Sequence, residues 1–155
     1  MYITGMKLDQ VDTSPAFALG ALGATRDGKI YKYVKYDTGS GSVAAVAGNV
    51  CYYYTLDGYK NMTVTSDLSD SIEIGAGVLQ SAPGDGEYGW IQIRGAATLT
   101  TALTAGSDGD PLTPTGATDG TLDVVLNDAG SGYLAHVCAY AGDISDKEII
   151  CDFPF

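Results

Sequence analysis

Short runs of aromatic and β-branched residues recur about every ten residues along this chain, and turns rich in glycine and aspartate separate them. Such runs favour extended strands, because branched and aromatic side chains pack well on a pleated surface and lose rotamer freedom in a helix. No segment has a sustained helical period. The pattern therefore predicts an all-β fold, an antiparallel β-sandwich or barrel.

The 155 residues, 45% of them hydrophobic, are enough for one packed domain. We divide the chain at Ser14-Pro15 into an extended N-terminal arm, residues 1–14, and a β-rich domain, residues 15–155. Strands are predicted at 16–23, 29–37, 50–55, 61–65, 76–82, 88–95, 121–126, 133–140 and 147–153.

Two of these strands have side chains suited to contact with another protein. Strand 29–37, KIYKYVKYD, has lysine and tyrosine on both faces, which predicts an edge or interface strand with Tyr31 and Tyr33 at the contact. Strand 88–95, YGWIQIRG, holds the only tryptophan of the chain.

Alternation along the second strand places its two isoleucines on one face and Tyr88, Trp90 and Arg94 on the other. We expect the isoleucine face to lie in the core. The opposite face has the residue types enriched at interfaces, so it is predicted to contact a second subunit or another protein. The alternative is that Trp90 belongs to a second core face.

The arm is unusually apolar, because it includes Tyr2, Ile3, Met6, Leu8 and Val11. An extended apolar segment can bind another protein by adding a strand to the edge of its sheet. We therefore expect the arm to reach away from the domain and grip a neighbour, the alternative being a frayed terminus.

The net charge of −11 argues against nucleic acid and against anionic membranes as partners, since both attract basic surfaces. No lysine or arginine occurs between Gly95 and Asp146, so this stretch forms a solvated acidic face or steers a basic partner. No apolar stretch reaches membrane-spanning length and no secretory signal is evident, so synthesis in the cytoplasm is expected.

Few residues could support catalysis. His136, the one histidine, lies in an apolar run and is expected to be a core residue. The three cysteines, Cys51, Cys138 and Cys151, lack metal-ligand spacing and are expected to be buried free thiols. We predict no enzymatic activity, no cofactor, no metal and no small-molecule substrate.

Four segments together resemble the capsid decoration (cement) proteins of tailed phages. They are FALGALGATRDGKIYKYVKYD, VAAVAGNVC, IGAGVLQSAPGDGEYGWIQIRGAATL and AGSDGDPLTPTGATDGTL, and the resemblance covers about residues 16–140. They are similar to the family's Leu-Gly opening with an Asp-Gly turn and a Tyr-x-Tyr-Val strand, its buried small-residue strand, its Tyr-Gly-x-x-Gln-x-x-Gly strand and its Gly-Asp-Pro-Leu turn.

The resemblance implies a β-rich homotrimer that binds the major capsid protein on the outer surface of an icosahedral head, made in the cytoplasm of a host bacterium. In that setting the predicted interface between subunits, or between subunit and shell, comprises Tyr31, Tyr33, Tyr88, Trp90 and Arg94. The arm residues that would grip a capsid subunit are Tyr2, Ile3, Met6 and Leu8. The resemblance implies no catalytic residue.

Two other functions fit the sequence. A phage tail or tail-tip component would also be β-rich and oligomeric. A carbohydrate-binding β-sandwich would use Trp90 and the tyrosines at 52–54 as a platform on which sugar rings stack.

Overall fold

The computed structural model describes residues 1–55, 58–116, 118–125 and 136–155, and in these ranges the chain forms ten strands and one short helix. The strands are β1 (Leu22–Ala24), β2 (Ile30–Tyr36), β3 (Val50–Tyr54), β4 (Thr63–Thr65), β5 (Ser71–Leu79), β6 (Tyr88–Thr98), β7 (Pro111–Thr113), β8 (Asp123–Val124), β9 (Ala139–Asp143) and β10 (Glu148–Asp152). The helix, α1, is Gly58–Asn61, and a single 3-10 turn spans Leu68–Asp70. Valine, isoleucine and tyrosine dominate β2 and β3, as expected from their β propensity.

A closed ring of strands forms the centre of the fold. β2 pairs with β4, β4 with β3, β3 with β5, β5 with β6, and β6 returns to β2. The β2–β4 pair is parallel and the other pairs are antiparallel, so the sheet is mixed rather than wholly antiparallel. The prediction of a single-domain all-β sandwich or barrel is confirmed.

A second group of strands extends the sheet from the far half of β6. β6 pairs with β2 as far as Arg94 and with β10 from Arg94 onward, and β9, β7 and β8 follow in that order. Gly95 lies where the partner changes, with φ of 92°, a left-handed conformation that glycine adopts without strain.

The main core fills the ring and continues under β9 and β10. Ile91 and Ile93 have no exposed surface and lie in this core, which confirms the face assigned to them. Other buried members are Val34, Tyr36, Val50, Tyr52, Tyr53, Val64, Leu112, Leu122, Ile149 and Phe153. Buried tyrosines are satisfied by hydrogen bonds: the Tyr36 hydroxyl donates to the Val43 carbonyl at 2.9 Å.

Strand 29–37 is not an edge strand. β2 is flanked by β1 and β4 on one side and by β6 on the other, and both of its faces are buried. The edge prediction was wrong because it treated the lysines as exposed, whereas Lys32 lies inside the fold at 1% exposure.

Several other local predictions change. The strand predicted at 16–23 is limited to Leu22–Ala24, and β9 begins at Ala139, so residues 136–138 of the strand predicted at 133–140 lie outside it. His136 is exposed, so its predicted core role is wrong. Residues 126 and 133–135 of the predicted strands lie outside the described ranges. All three cysteines are buried free thiols, as predicted, and burial raises the pKa of each.

Lys32 is a buried cation held by neutral groups. Its Nζ donates to the Tyr53 hydroxyl at 2.8 Å and to the Pro154 carbonyl at 2.7 Å. No carboxylate among the described residues forms an ion pair with it. Burial lowers the pKa of Lys32 from 10.5 to about 8, because desolvation disfavours the charged form.

This shift predicts a pH-dependent contribution to stability. Between pH 8 and 10.5 Lys32 is protonated in the unfolded chain and deprotonated in the folded chain. The contribution of Lys32 to the free energy of unfolding therefore rises with pH in this window. Relative to Lys32→Met, the wild type should gain about 3 kcal/mol across this window. Urea unfolding of both proteins at each pH measures the difference. Lys60→Met, which removes an exposed lysine, should run parallel to the wild type; parallel curves for Lys32→Met would contradict the burial argument.

Candidate interaction surface

The N-terminal arm lies on the face of β2 and β6 that points away from the ring. Ile3 forms a parallel bridge with Gly23. The Ile3 amide donates to the Leu22 carbonyl at 2.8 Å, and the Ile3 carbonyl accepts from the Ala24 amide at 3.0 Å. Asp12 forms an antiparallel bridge with Tyr88, with reciprocal backbone bonds of 3.0 and 2.9 Å. The arm is therefore attached to the domain of its own chain at two points.

Between these bridges the arm covers an aromatic cluster, which we define as Phe17, Tyr31, Tyr33, Tyr88 and Trp90. The Tyr33 and Trp90 ring centroids are 5.2 Å apart at 60°, and Phe17 lies 5.3 Å from Tyr33 and 5.2 Å from Trp90. Tilted and edge-on contacts at this spacing are favourable for aromatic rings. The arm side chains packed on the cluster are Ile3, Met6 and Leu8.

Glycine at position 23 allows the arm to approach β1. A Cβ atom at Gly23 would lie 2.0 Å from the Met6 sulfur and 2.6 Å from its terminal methyl carbon. A side chain at position 23 would require the Met6 side chain to move, so the glycine of β1 allows Met6 to pack directly on the strand.

Tyr33 connects the cluster to the arm by hydrogen bonds as well as by packing. Its hydroxyl donates to the Asp12 carboxylate at 2.6 Å and accepts from the Ala16 amide at 3.2 Å. Burial, reinforced by the bond to Asp12, raises the pKa of Tyr33 to about 12. The stabilisation of the docked arm by the protonated Tyr33 hydroxyl is fully present below pH 10 and is lost as the pH rises through 12.

The predicted interface is thus largely filled by the chain's own arm. Tyr31, Tyr33 and Trp90 are 4%, 0% and 2% exposed and form a second core face in the single chain. Contact of these three residues with another subunit or a capsid would require the arm to move, and it stays a prediction. Tyr88 is half-buried in the same cluster. A subunit contact through Tyr88 or Arg94 stays a prediction.

The expectation that the arm reaches away from the domain is also wrong for the single chain. Ile3, Met6 and Leu8 are partly buried on the cluster, whereas Tyr2 is 47% exposed. The apolar character of these residues is explained by a partner within the same chain. Capsid gripping by the arm stays a prediction.

Arg94 is separate from the aromatic cluster. Its guanidinium forms an ion pair with Asp152 and lies 4.9 Å from the centroid of the Phe155 ring. Trp90 and Arg94 are four residues apart on β6, or roughly 13 Å along the strand. Arg94 lies where β6 begins to pair with β10, opposite Asp152, so it contacts the C-terminal segment rather than the cluster.

Three of the four residues of the predicted sugar-stacking platform are covered in this fold. Tyr52 and Tyr53 have no exposed surface, and Trp90 is covered by the arm. Stacking of a sugar requires an open ring face, which Tyr52, Tyr53 and Trp90 do not offer in this conformation. Tyr54, the remaining residue of the predicted platform, is half-buried.

Two arm-binding residues were missed by the sequence prediction. Phe17 was assigned to a strand, although its place two residues after Pro15 favours a turn into the domain. Asp12 gave no signal, because its role depends on Tyr33, 21 residues later in the chain.

Acidic side chains in the described ranges mainly cap loops. Asp67 accepts from the Gly41 and Ser69 amides, and Asp119 accepts from the Leu68 amide at 2.8 Å. No group of three or more histidine, cysteine, aspartate or glutamate side chains in those ranges is arranged to hold a metal ion. The same part of the chain contains no helix with the length and apolar content of a membrane span.

No protein-family model matches this chain, and neither a curated protein nor a solved structure matches it at a significant level. The function proposed below is therefore inferred from the residues and their contacts.

Replacing Trp90 tests the second core face. Trp90→Ala should lower the free energy of unfolding by about 3–5 kcal/mol, because it leaves a cavity between Tyr33 and Phe17. Tyr2→Ala, at an exposed position, should change it little. Denaturant unfolding measures both. A Trp90→Ala protein with unchanged stability but altered oligomeric state would instead assign this side chain to a subunit interface.

Removing one hydroxyl tests how the arm is held. Tyr33→Phe keeps the ring packing but deprives Asp12 and Ala16 of a partner, so docking should weaken by about 1 kcal/mol. Hydrogen exchange of the Ile3 and Asp12 amides should accelerate roughly fivefold. The control, Tyr59→Phe, removes the hydroxyl of an exposed tyrosine. Equal exchange in both variants would show that the hydroxyl does not hold the arm.

Proposed function

We propose that this chain is a non-enzymatic structural protein that decorates the outer surface of an icosahedral tailed-phage head and bridges capsid subunits as a homotrimer. The partner is the major capsid protein, and the site of action is the virion. No cofactor takes part.

The observation that carries the proposal is the placement of the segments that resemble the decoration family. The first segment supplies β1 and β2, and the third supplies β5 and β6. These segments pair with each other through β2 and β6 over Ile30–Lys35, so the family-like glycines and aromatics form one continuous part of the sheet. Scattered chance matches have no reason to pair in this way.

The aromatic cluster and the arm give further support to a binding role. An arm held by two isolated bridges can exchange one sheet edge for another at small cost in backbone hydrogen bonds. Trimeric presentation would multiply weak attachments through effective concentration. In this proposal Tyr2, Ile3, Met6 and Leu8 leave the cluster and bind a neighbouring capsid subunit.

Binding to undecorated heads tests the function. The purified protein should sediment with heads that lack it, saturate at three copies per local three-fold position, and raise the temperature at which the heads rupture. Tyr33→Phe, which loosens the arm, should bind at least as tightly as the wild type if the arm must leave its own cluster.

The alternatives give different results in the same assay. Absence of co-sedimentation at saturating protein would refute decoration. Formation of rings or tubes without heads would assign the chain to the tail, and specific signals on a glycan array would assign it to carbohydrate binding.

A further inference from the structure

An exposed apolar row crosses the outer face of the strands beyond the ring. Ile150 of β10 is paired in register with Tyr140 of β9 on one side and with Ala96 of β6 on the other. Ile150 is 51% exposed and Tyr140 is 43% exposed, although both lie in the middle of a sheet. Side chains paired across neighbouring strands are about 5 Å apart, so the three form a continuous surface.

The strands carry this row because their opposite face already fills the core. Ile149 and Cys151, on either side of Ile150, are buried, and so are Ala139 and Ala141 around Tyr140. The alternation leaves Ile150 and Tyr140 pointing outward. They contribute nothing to the main core, which removes the usual structural reason for a large apolar side chain at these positions.

Charged side chains border the apolar row. On one side Glu148 is paired with Asp143 and with Thr98. On the other side Asp152 is paired with Arg94, whose guanidinium packs on Phe155, itself 50% exposed. The row thus runs between two borders, each of which includes a carboxylate.

The local charge is strongly acidic. The adjoining turns add Asp108, Asp110 and Asp146. Arg94 and Asp152 form an ion pair and together carry no net charge. Lys147, whose ammonium donates to the Thr100 carbonyl at 3.1 Å, offsets one of the remaining carboxylates. The apolar row therefore has an excess of negative charge around it.

We propose that this outer face, with Ile150 and Tyr140 at its centre, is the surface that docks on the head shell, against an apolar patch bordered by lysine or arginine. The inference rests on the proposed decoration function and names the face that performs it. An apolar centre supplies the attachment, and the acidic border selects a basic partner and steers its approach.

The charge also argues against other occupants. In a two-fold contact between copies, the acidic borders would face each other and repel. An anionic lipid surface or nucleic acid would be repelled in the same way. The aromatic cluster is occupied by the arm, whereas this face is open without any rearrangement of the chain.

The variant Ile150→Lys separates docking from folding. A lysine beside Glu148 on the same face of β10 offsets part of the local negative charge in the free protein, so its thermal unfolding temperature should be unchanged or higher. On a basic partner the same lysine removes the apolar centre and adds repulsion. The affinity for undecorated heads should fall at least tenfold.

Leu19→Lys is the matched control, because Leu19 is also aliphatic and 40% exposed. It lies just before β1, whereas the tested face is formed by β6, β9 and β10. The control variant should bind heads as the wild type does. Glu148→Gln removes one border charge and should weaken binding severalfold and flatten its dependence on salt. Wild-type affinity should itself fall as ionic strength rises from about 0.05 to about 0.5 M.

Each outcome is decisive. If the wild type does not bind heads, the decoration function and this assignment fall together. If the wild type binds and Ile150→Lys equals Leu19→Lys, the function stands and the assignment of the face is refuted. A changed oligomeric state of Ile150→Lys with undiminished head affinity would make the face a contact between copies, and salt-independent binding would refute the basic partner.

Discussion

The pairing of β2 with β6 is the constraint on which the rest of this structure depends. Its register, from Ile30 opposite Arg94 to Lys35 opposite Tyr88, closes the ring and leaves the strand pair mainly apolar on both faces, with Lys32 and Gln92 as buried polar exceptions. Val34 and Ile91 fill the ring interior, and Tyr33 and Trp90 point outward. A strand pair with apolar side chains on both faces must be packed against other elements on both faces, since exposed aromatic surface is costly in water. The other ring strands pack on the inner face and the arm packs on the outer face, so the arm is part of the fold.

Local pattern predicted the strands well and their neighbours poorly. Alternation alone placed Ile91 and Ile93 in the core, because period-two burial is a local property. It misplaced Lys32, whose partners Tyr53 and Pro154 lie 21 and 122 residues away. The sequence also indicated that Trp90 required a partner, but composition cannot distinguish a second subunit from a segment of the same chain. The tethered arm has the advantage of high effective concentration.

The outer face could have been found from a signal that the sequence contains. Two adjacent isoleucines, Ile149 and Ile150, cannot both face the core from one strand, so one of them must point outward. The register that sets Tyr140 beside Ile150 comes from the short turn 144–147 between β9 and β10, which a predicted strand ending at 140 does not place. What the sequence could not supply is the register that sets Ala96 of β6 on the other side of Ile150, because β6 and β10 are distant in the chain and no local motif fixes their pairing. Local alternation identifies an outward apolar residue, and only the sheet order makes it a surface.

The two proposed attachments differ in what they require of the chain. Release of the arm uncovers Tyr33 and Trp90, so a capsid groove must replace both the apolar contacts and the bonds of Asp12 before gripping is favourable. The outer face is already exposed and needs no such exchange. Under the proposed function, docking through the face would therefore come first and would hold the arm near the shell at high effective concentration. Only then can a modest difference in binding free energy between the arm's own cluster and a capsid groove move the arm from its own sheet to a neighbour's.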